Sequence, residues 1–252
     1  AGERRFIADA AHELRTPLAA LKAQAQAVAR ADSLARCRAE LRPLVEGIER
    51  ASRLSEQMLD LAHVDALGEQ GLSPQPIHEL VALVVHDYAA AARDRGQRLL
   101  LRAEPFDAPV AVDALGVLVR NLVDNAIRYA GPGATIEIFC EGGAAGPARL
   151  VVRDDGPGVP AAERERIFDR FYRVAGVAER GSGIGLSLVA RIAQLHQGRA
   201  RAGAGPAGRG LVVTVEWPLP AVHTDGPRVP ERGRPRFARD ADPVRGATTD
   251  MG

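Results

Sequence analysis

A histidine followed directly by a glutamate stands near the start of the chain, with a threonine and a proline about one helical turn later. These residues are His12, Glu13, Thr16 and Pro17. Apolar residues recur every three or four positions around them, which predicts an amphipathic helix. His12 lies near the edge of the apolar stripe and can face outward, and Pro17 bends the helix just beyond it. A nucleophile, a carboxylate and a hydroxyl are thus gathered on one helix surface, although a single histidine on a helix more often has a structural role.

The composition is that of an ordinary globular protein. Of the 252 residues, 46% are apolar and 26% are charged, and the length favours one or two domains. A net charge of +1 gives no electrostatic argument for binding nucleic acid or a membrane surface. Cys37 and Cys140 lie in unrelated segments without metal-ligand spacing, so we interpret them as reduced thiols in a cytosolic setting.

The start of the chain suggests a cut through a longer protein. It begins with Ala1 rather than methionine, and the predicted helix that carries His12 begins almost at once. No apolar run is long enough to span a bilayer, and no signal peptide is recognisable. We therefore expect contact with a membrane only through missing upstream segments.

Residues 1–66 are expected to form two long helices joined by a short loop. The first runs to about Ala31, with Asp32 and Ser33 as loop and N-cap candidates. The second has a heptad seam that decays toward its end, flanked by Leu54 and Leu61. The seam consists of Leu41, Leu44, Ile48, Ala51, Ser55, Met58, Ala62 and Asp65. A lone hairpin leaves apolar surface exposed, so we predict a four-helix bundle of two copies; the alternative is packing on the following domain.

The segment 74–220, after a linker at 67–73, mixes helical and strand periods and is expected to form an α+β sandwich. The predicted helices are 80–93, 113–130 with Asp113 as its cap, and 184–196. The predicted strands are 98–103, 110–112, 135–141, 150–154 and 211–217. Residues 221–252 lack an apolar period and are rich in Pro, Gly, Arg and Asp, which indicates a disordered tail.

One polar segment of this second domain falls on a predicted helix. Asn121, Asn125 and Arg128 share a face, with Asp124 and Tyr129 beside it. An amide oxygen is a hard ligand suited to Mg²⁺, which bridges phosphates. Arg128 could reach a phosphate, and Tyr129 could border a nucleoside. A solvated polar helix face is the alternative interpretation.

A second polar segment directly follows a predicted strand. Asp154 and Asp155 come first, and Gly156 and Gly158 follow. A carboxylate held at a strand end can accept a hydrogen bond from an exocyclic amine such as that of adenine, and the glycines let the backbone approach the ring closely. Such a sequence is also often no more than a turn.

A glycine-rich segment at 181–186 opens the predicted helix that ends near His196. Glycines before a helix N-terminus expose backbone N–H groups and the positive end of the helix dipole to phosphates. The segment does not follow a strand, so it is not a dinucleotide-binding fingerprint. A flexible loop is the alternative.

The order of these segments resembles that of the sensor histidine kinases of bacterial two-component systems, over roughly residues 4–220. Residues 6–18 (FIADAAHELRTPL) resemble the phosphoacceptor box of that family, and 121–129 (NLVDNAIRY) its N box. Residues 154–158 (DDGPG) resemble its G1 box, 167–173 (IFDRFYR) its F box and 181–185 (GSGIG) its G2 box. Asp155 stands where the family often has asparagine, and 174–180 would be a short ATP lid.

The resemblance implies a fold and an activity. The fold class would be α+β, with the hairpin forming a dimeric four-helix bundle before an α/β-sandwich ATP-binding domain of the histidine kinase, Hsp90 and gyrase type. The protein would be an ATP-dependent protein-histidine kinase and the cytoplasmic portion of an inner-membrane sensor. Its partners would be a second copy and the receiver domain of a response regulator, without nucleic acid.

The resemblance also implies a role for each matched residue. His12 would attack the γ-phosphorus of ATP, Glu13 would fix its tautomer, and Thr16 would orient water for a reverse, dephosphorylating activity. Asp154 would bind adenine, Asn125 with help from Asn121 would hold Mg²⁺, and Arg128 would meet a phosphate. The remaining ATP-binding residues would be Tyr129, Gly156, Gly158, Phe168, Gly181, Gly183, Gly185 and Leu186.

Two other classes of protein share parts of this pattern. One is a degenerate kinase that acts as a dimeric scaffold, against which the intact His12, Asn125 and Asp154 argue. The other is an ATPase of the gyrase, Hsp90 and mismatch-repair group, which resembles only the second domain. The hairpin that carries His12 and the short lid distinguish the chain from that group.

Overall fold

The computed structural model describes residues 2–67, 72–143, 146–174, 181–205 and 208–219, with side chains from Leu14 onward. The predicted tail at 221–252 and most of the predicted lid lie outside these ranges. No helix within them combines the length and the hydropathy needed to cross a bilayer.

Two long helices form a hairpin at the start of the chain. They are α1 (Gly2–Ala29), which runs through Pro17, and α2 (Leu34–Leu67). The backbone N–H of Arg36 donates to Oγ of Ser33 at 3.3 Å, which confirms Ser33 as the N-cap of α2. At Gly47 the helices approach so closely that a β-carbon would lie 2.7 Å from Cδ2 of Leu21, so a larger residue there would displace the side chains of α1.

The two halves of α2 have different surroundings. Leu41, Val45 and Ile48 in the first half are between 40% and 51% exposed. The second half buries four apolar residues, namely Leu54, Met58, Leu61 and Val64. This half therefore packs on the following domain, as the alternative interpretation of the hairpin had it.

The predicted heptad seam decays in the second half of α2, where its member Met58 is still buried. Ser55, Ala62 and Asp65 are exposed there, whereas the flanking Leu54 and Leu61 are buried. A straight helix has 3.6 residues per turn, so its inward face drifts away from a strict seven-residue repeat. The buried stripe consequently turns from the seam toward the α/β domain.

The rest of the described chain forms an α/β domain. Its elements are β1 (Ser73–Pro76), α3 (Ile77–Asp87), α4 (Ala89–Asp94), β2 (Arg98–Ala103), β3 (Asp107–Val110), α5 (Val112–Tyr129), β4 (Thr135–Gly143), β5 (Gly146–Asp154), α6 (Gly185–Leu195), β6 (Arg199–Ala204) and β7 (Leu211–Trp217). Short 3₁₀ turns lie at Ala161–Glu163 and Arg166–Phe168.

Five strands form the main sheet in the order β2-β4-β5-β7-β6. The pair β2 and β4 is parallel and the other pairs are antiparallel, while β1 and β3 make a separate two-stranded sheet. Alternate residues of β5 and β7 are buried, so one face of the sheet packs on helices. Leu61 and Val64 of α2 join this same core.

Several element predictions need correction. The predicted helix 80–93 is two helices, α3 and α4, which meet at Tyr88. The strand predicted at 110–112 lies earlier in the chain: it is β3, which ends at Val110, two residues before α5 begins at Val112. Asp113 is not a cap, because α5 starts at Val112 with Ala111 before it and no side-chain cap bond. The strands β1 and β6 were not predicted, since two prolines in β1 and small residues with arginines in β6 hide the strand pattern.

A buried histidine joins α6 to the start of α5. Nε2 of His196 accepts the backbone N–H of Ala111 at 3.1 Å, and Nδ1 lies 2.8 Å from the carbonyl oxygen of Ile192, to which it donates. Burial lowers the pKa of His196 below its usual range. The neutral imidazole therefore satisfies the buried N–H of Ala111, the residue directly before α5.

Candidate active site

A cavity of about 550 Å³ lies between the hairpin and the α/β domain, within the usual size of a small-molecule site. Its α/β wall includes Asn121, Asp124, Asn125, Arg128, Tyr129, Asp154, Gly158, Gly181, Gly183, Gly185 and Leu186. Its hairpin wall includes Thr16, Pro17, Gln24, Arg50, Arg53 and Gln57. Among the described residues, four arginines (Arg50, Arg53, Arg128 and Arg173) and two aspartates line the cavity, so this part of the wall favours an anion.

Asp154, the last residue of β5, is 7% exposed and lines the cavity. Its Oδ1 accepts the backbone N–H of Gly156 at 3.0 Å and that of Leu211 at 3.3 Å. Both hydrogen bonds that the described residues make to this carboxylate use Oδ1, so Oδ2 remains available to a ligand. Burial raises the pKa of Asp154, while the two N–H donors act in the opposite direction.

The neighbouring aspartate has a different position. Oδ1 of Asp155 accepts the backbone N–H of Thr135 at 2.8 Å, at the start of β4. Asp155 therefore joins two strands and is not among the described residues that line the cavity.

The glycines after Asp154 pack against protein backbone. A β-carbon at Gly156 would overlap Ala130, and one at Gly158 would overlap the carbonyl of Gly210. Gly158 also has a φ of 74°, which favours glycine. Close backbone packing is therefore sufficient to explain why both are glycine, and only Gly158 lines the cavity.

The asparagines of α5 differ in their partners. Asn121 is buried; its Nδ2 donates to the carbonyl of Val117 at 2.8 Å and its Oδ1 accepts Nε2 of Gln57 at 3.2 Å. Asn125, one turn later, is half-buried in the cavity wall and makes no hydrogen bond to a described residue. Its amide oxygen is therefore available to a cation.

The other polar residues near the end of α5 contact neighbours. Nε of Arg128 lies 2.9 Å from Oδ2 of Asp124 in a half-buried ion pair. The hydroxyl of Tyr129 lies so close to Gly181 that a β-carbon there would overlap it. The end of α5 and the glycine-rich segment are thus adjacent, as a shared ligand site requires.

The glycine-rich segment leads into α6, which begins at Gly185. Gly183 has a φ of 72°, and a β-carbon there would overlap the backbone of Phe171. At Gly185 a β-carbon would lie 3.0 Å from Oδ1 of Asn121. Close approach to backbone thus requires glycine at Gly183, whereas a side chain at Gly185 would press on Asn121.

The segment 167–173 contributes to the cavity differently from its prediction. Phe168 packs against the hydrophobic core, and the described cavity wall contains Ile167 and Tyr172 instead. The Tyr172 hydroxyl donates to Oε2 of Glu163 at 3.0 Å. Residues 175–180, which make up most of the predicted lid, lie outside the described residues.

The hairpin places Thr16 and Pro17 in the cavity wall. His12 and Glu13 belong to α1, about one helical turn earlier, and their side chains lie outside the described residues. Two further polar residues, which no sequence pattern marks as functional, meet at the cavity wall: Oγ of Ser182 donates to Oε1 of Gln57 at 2.6 Å.

A metal site built from acidic, histidine or cysteine side chains is not found in the described part of the chain, where no group of three or more comes together suitably. The amide oxygens of Asn125 and of Asn121, the second of which accepts a hydrogen bond from Gln57, are possible metal ligands in the cavity wall. Hard amide oxygens together with phosphates and water suit Mg²⁺, which needs few protein ligands. The donor set therefore fits that ion.

Two family matches cover most of the chain. Residues 3–67 match the family described as the His kinase A (phospho-acceptor) domain. Residues 111–221 match the family described as histidine kinase-, DNA gyrase B- and HSP90-like ATPase. The second match supports ATP as the nucleotide.

Individual relatives agree with these matches. Sensor protein QseC of Escherichia coli strain K12 is 39% identical over 219 residues, which are 85% of this chain and 47% of QseC. Sensor protein kinase PmrB of Pseudomonas aeruginosa is 41% identical over 235 residues, which are 92% of this chain and 48% of PmrB. The solved structure of the Acinetobacter baumannii histidine kinase AdeS has a TM-score of 0.64 at 21% identity, over 82% of this chain and 98% of that one.

These findings define a class of protein in which a helical phosphoacceptor region precedes an ATPase-type domain. The chain belongs to the sensor histidine kinases of bacterial two-component systems. The predicted family and the predicted order of a helical region and an α/β domain are confirmed. The chain spans about half the length of the curated relatives it matches.

Proposed function

We propose that the chain binds ATP, transfers its γ-phosphoryl group to His12 and passes it to an aspartate of a response regulator. Residues 1–66 would be the dimerisation and phosphotransfer region, and residues 74–220 the ATP-binding domain. We also propose that it is the cytoplasmic portion of an inner-membrane sensor. The observation that carries the proposal is the buried carboxylate of Asp154 in an arginine-lined cavity whose other wall is the hairpin that carries His12.

Asp154 would select adenine. Two backbone N–H groups hold Oδ1 in place, and Oδ2 would accept a hydrogen bond from the exocyclic amine. Since a carboxylate cannot donate, it disfavours a carbonyl at that position of the base. Tyr129 and Leu186 border the same cavity and would contact the nucleoside.

The triphosphate would lie between α5 and the N-terminus of α6. Backbone N–H groups of the segment from Gly181 to Gly185 would bind phosphate oxygens, with Arg128 beside them. Asn125 and Asn121 would hold Mg²⁺, which supplies neutralisation of phosphate charge when bound. Arg50 and Arg53 on the hairpin wall add positive charge next to the same space.

The transfer itself would occur at His12. One ring nitrogen forms a bond to the γ-phosphorus while the bond from that phosphorus to the β,γ-bridging oxygen breaks and ADP leaves. Glu13 would accept a hydrogen bond from the other ring N–H and stabilise the positive charge that develops on the ring. The phosphoryl group would then move from nitrogen to a carboxylate oxygen of the regulator. Thr16 would orient water for the reverse, dephosphorylating activity.

The test is the transfer of label from ATP labelled at the γ-position. Wild-type protein should acquire acid-labile, base-stable label, as an N–P bond requires, and His12→Gln should acquire none. Because His12 lies on the hairpin, the variant should bind ATP as wild type does. His63→Gln is the matched control, since His63 is exposed on α2 and should keep full labelling. Labelling of His12→Gln at the wild-type level would refute the assignment.

A further inference from the structure

Gln57 of α2 is half-buried against the α/β domain and contacts two predicted nucleotide-binding segments at once. Its Oε1 accepts the hydroxyl of Ser182 at 2.6 Å, and its Nε2 donates to Oδ1 of Asn121 at 3.2 Å. The donor and acceptor ends of the amide both find complementary partners. Gln57 therefore bridges α5 and the glycine-rich segment from the opposite wall of the cavity.

The surroundings of Gln57 hold it in this position. Leu54 and Met58, which flank it on α2, form a small buried cluster with Ile184. Ion pairs lie at the edge of the contact: Asp60 to Arg120 at 2.9 Å, and Asp65 to Arg191 at 2.6 Å. The second half of α2 is thus docked by apolar burial, by ion pairs and by one bridging amide.

The amide of Gln57 occupies the oxygen of Asn121 that a metal would need. A Mg²⁺ ligand oxygen lies about 2.1 Å from the ion, and the ion keeps a bulky hydration shell. A neutral N–H donor at 3.2 Å from Oδ1 of Asn121 fills that approach. The amide nitrogen of Asn121 donates to the carbonyl oxygen of Val117, which holds the side chain so that it cannot turn its oxygen away from Gln57.

We propose that Gln57 is a latch: in the docked hairpin it holds Asn121 and Ser182, and it must withdraw before a metal–nucleotide complex can bind at Asn121. This inference rests on the proposed function, since it concerns control of the same nucleotide site. Docking of α2 and occupation of Asn121 by the metal then oppose one another. By reciprocity, whatever loosens the docked half of α2 strengthens nucleotide binding, and bound nucleotide loosens the docking.

The test measures equilibrium affinity for a fluorescent ATP analogue, with Mg²⁺ and separately with EDTA. Gln57→Met keeps the length of the side chain but removes both hydrogen bonds. It should bind the analogue about threefold to tenfold more tightly with Mg²⁺, as expected for net bonds of ordinary strength. The gain should be smaller in EDTA, because the competition at Asn121 concerns the metal. Gln26→Met, at an exposed position of α1, is the matched control and should not change affinity.

A second variant tests the docking without touching the cavity. Asp65→Asn removes the partner of Arg191 at the far edge of the contact and should tighten binding about twofold, the scale of a surface ion pair. Wild-type affinity in both Gln57→Met and Asp65→Asn, or weaker binding in Gln57→Met, would overturn the latch. An equal gain with Mg²⁺ and with EDTA would overturn the competition at Asn121. Wild-type protein that binds no analogue in either buffer would instead refute the proposed function itself.

Discussion

The hairpin and the α/β domain differ in what they do with their apolar residues. In the sheet, Ile136, Ile138 and Leu150 are fully buried between the strands and the helices that cover them. On the hairpin, Leu18, Leu34 and Leu59 are between 57% and 68% exposed. The α/β domain thus completes a core within one chain, whereas the hairpin needs a partner along much of its length. The boundary between these behaviours runs through the middle of α2.

The largest expected effect concerns that partner. We predict that the hairpin pairs with a second copy through the exposed half of α2, and that Val45→Glu, at a residue 51% exposed, breaks the pair. A dimer stable at roughly 10 μM has an association free energy of about 7 kcal/mol, which a buried unpaired carboxylate can abolish. Sedimentation should show a dimer for wild type and a monomer for the variant. Leu83→Glu is the control, because Leu83 is equally apolar and 62% exposed but lies on α3. If the wild-type protein sediments as a monomer at this concentration, the hairpin does not pair with a second copy and this prediction is wrong.

The next effect distinguishes the buried face from the exposed face of the second half of α2 within one subunit. Leu61→Ala should lower the free energy of unfolding by about 2–5 kcal/mol, since Leu61 is 1% exposed in the core shared with the α/β domain. Leu59→Ala removes the same atoms two residues away, where the side chain is 68% exposed, and should change stability by about 0.5 kcal/mol or less. Denaturant unfolding measures both. Equal losses would mean that the second half of α2 is not docked in solution.

A third prediction concerns binding by the α/β domain alone. Asp154→Asn should weaken ATP binding by about 1.5–3 kcal/mol, roughly tenfold to 150-fold, because an amide donor can replace the carboxylate acceptor that faces adenine. Calorimetric titration measures the loss. Wild-type affinity in the variant would show that Asp154 does not bind the base.

The same substitution has a predicted effect on stability with the opposite sign. Burial raises the pKa of Asp154. At pH values above that pKa the carboxylate is ionised, and its burial then lowers the free energy of unfolding. Asp154→Asn should therefore be at least as stable as wild type at neutral pH. As the pH falls through the raised pKa, wild type takes up a proton and the difference should close. Thermal melts between about pH 4 and pH 7.5 measure this, with the unfolded carboxyl near its reference pKa of about 3.9.

The smallest effect is on the pH dependence of the α/β core. His196 accepts an N–H while neutral, and its folded pKa lies below its usual value. Neutral His196 thus contributes fully to the free energy of unfolding above about pH 6.5, the reference pKa of histidine. This contribution is lost as the pH falls through the lowered pKa of the folded protein. Thermal stability should decline over this range, and His196→Gln should flatten the decline while costing about 1–2 kcal/mol at pH 7.5. If thermal stability depends on pH in the same way in His196→Gln as in wild type, the titration of another group causes the decline.

Sequence patterns predicted those parts of the site that depend on neighbours along the chain. The alternation in β5 placed Asp154 at a strand end, and helical spacing placed Asn121 and Asn125 in one wall. The sequence could not show why Gly156 and Gly158 must be glycine. They pack on the backbone of Ala130 and Gly210, which lie far away in the sequence.

The contacts between the hairpin and the α/β domain could not be predicted. Gln57 lies 64 positions from Asn121 and 125 from Ser182, and a single glutamine on an amphipathic helix has no pattern of its own. The drift of the buried stripe along α2 also depends on where the α/β domain lies. That position is set by long-range packing, which a heptad repeat does not record.

The close approach at Gly47 has a mechanical consequence. Pro43, one turn before it, cannot donate the N–H that would bond the carbonyl of residue 39, and Gly47 has the freest backbone of any residue type. Two successive turns in the first half of α2 are thus the most compliant part of this 34-residue helix. We expect these turns to let the docked second half of α2 tilt relative to its N-terminal end, so that a force applied at one end of the helix becomes a change of angle at the other.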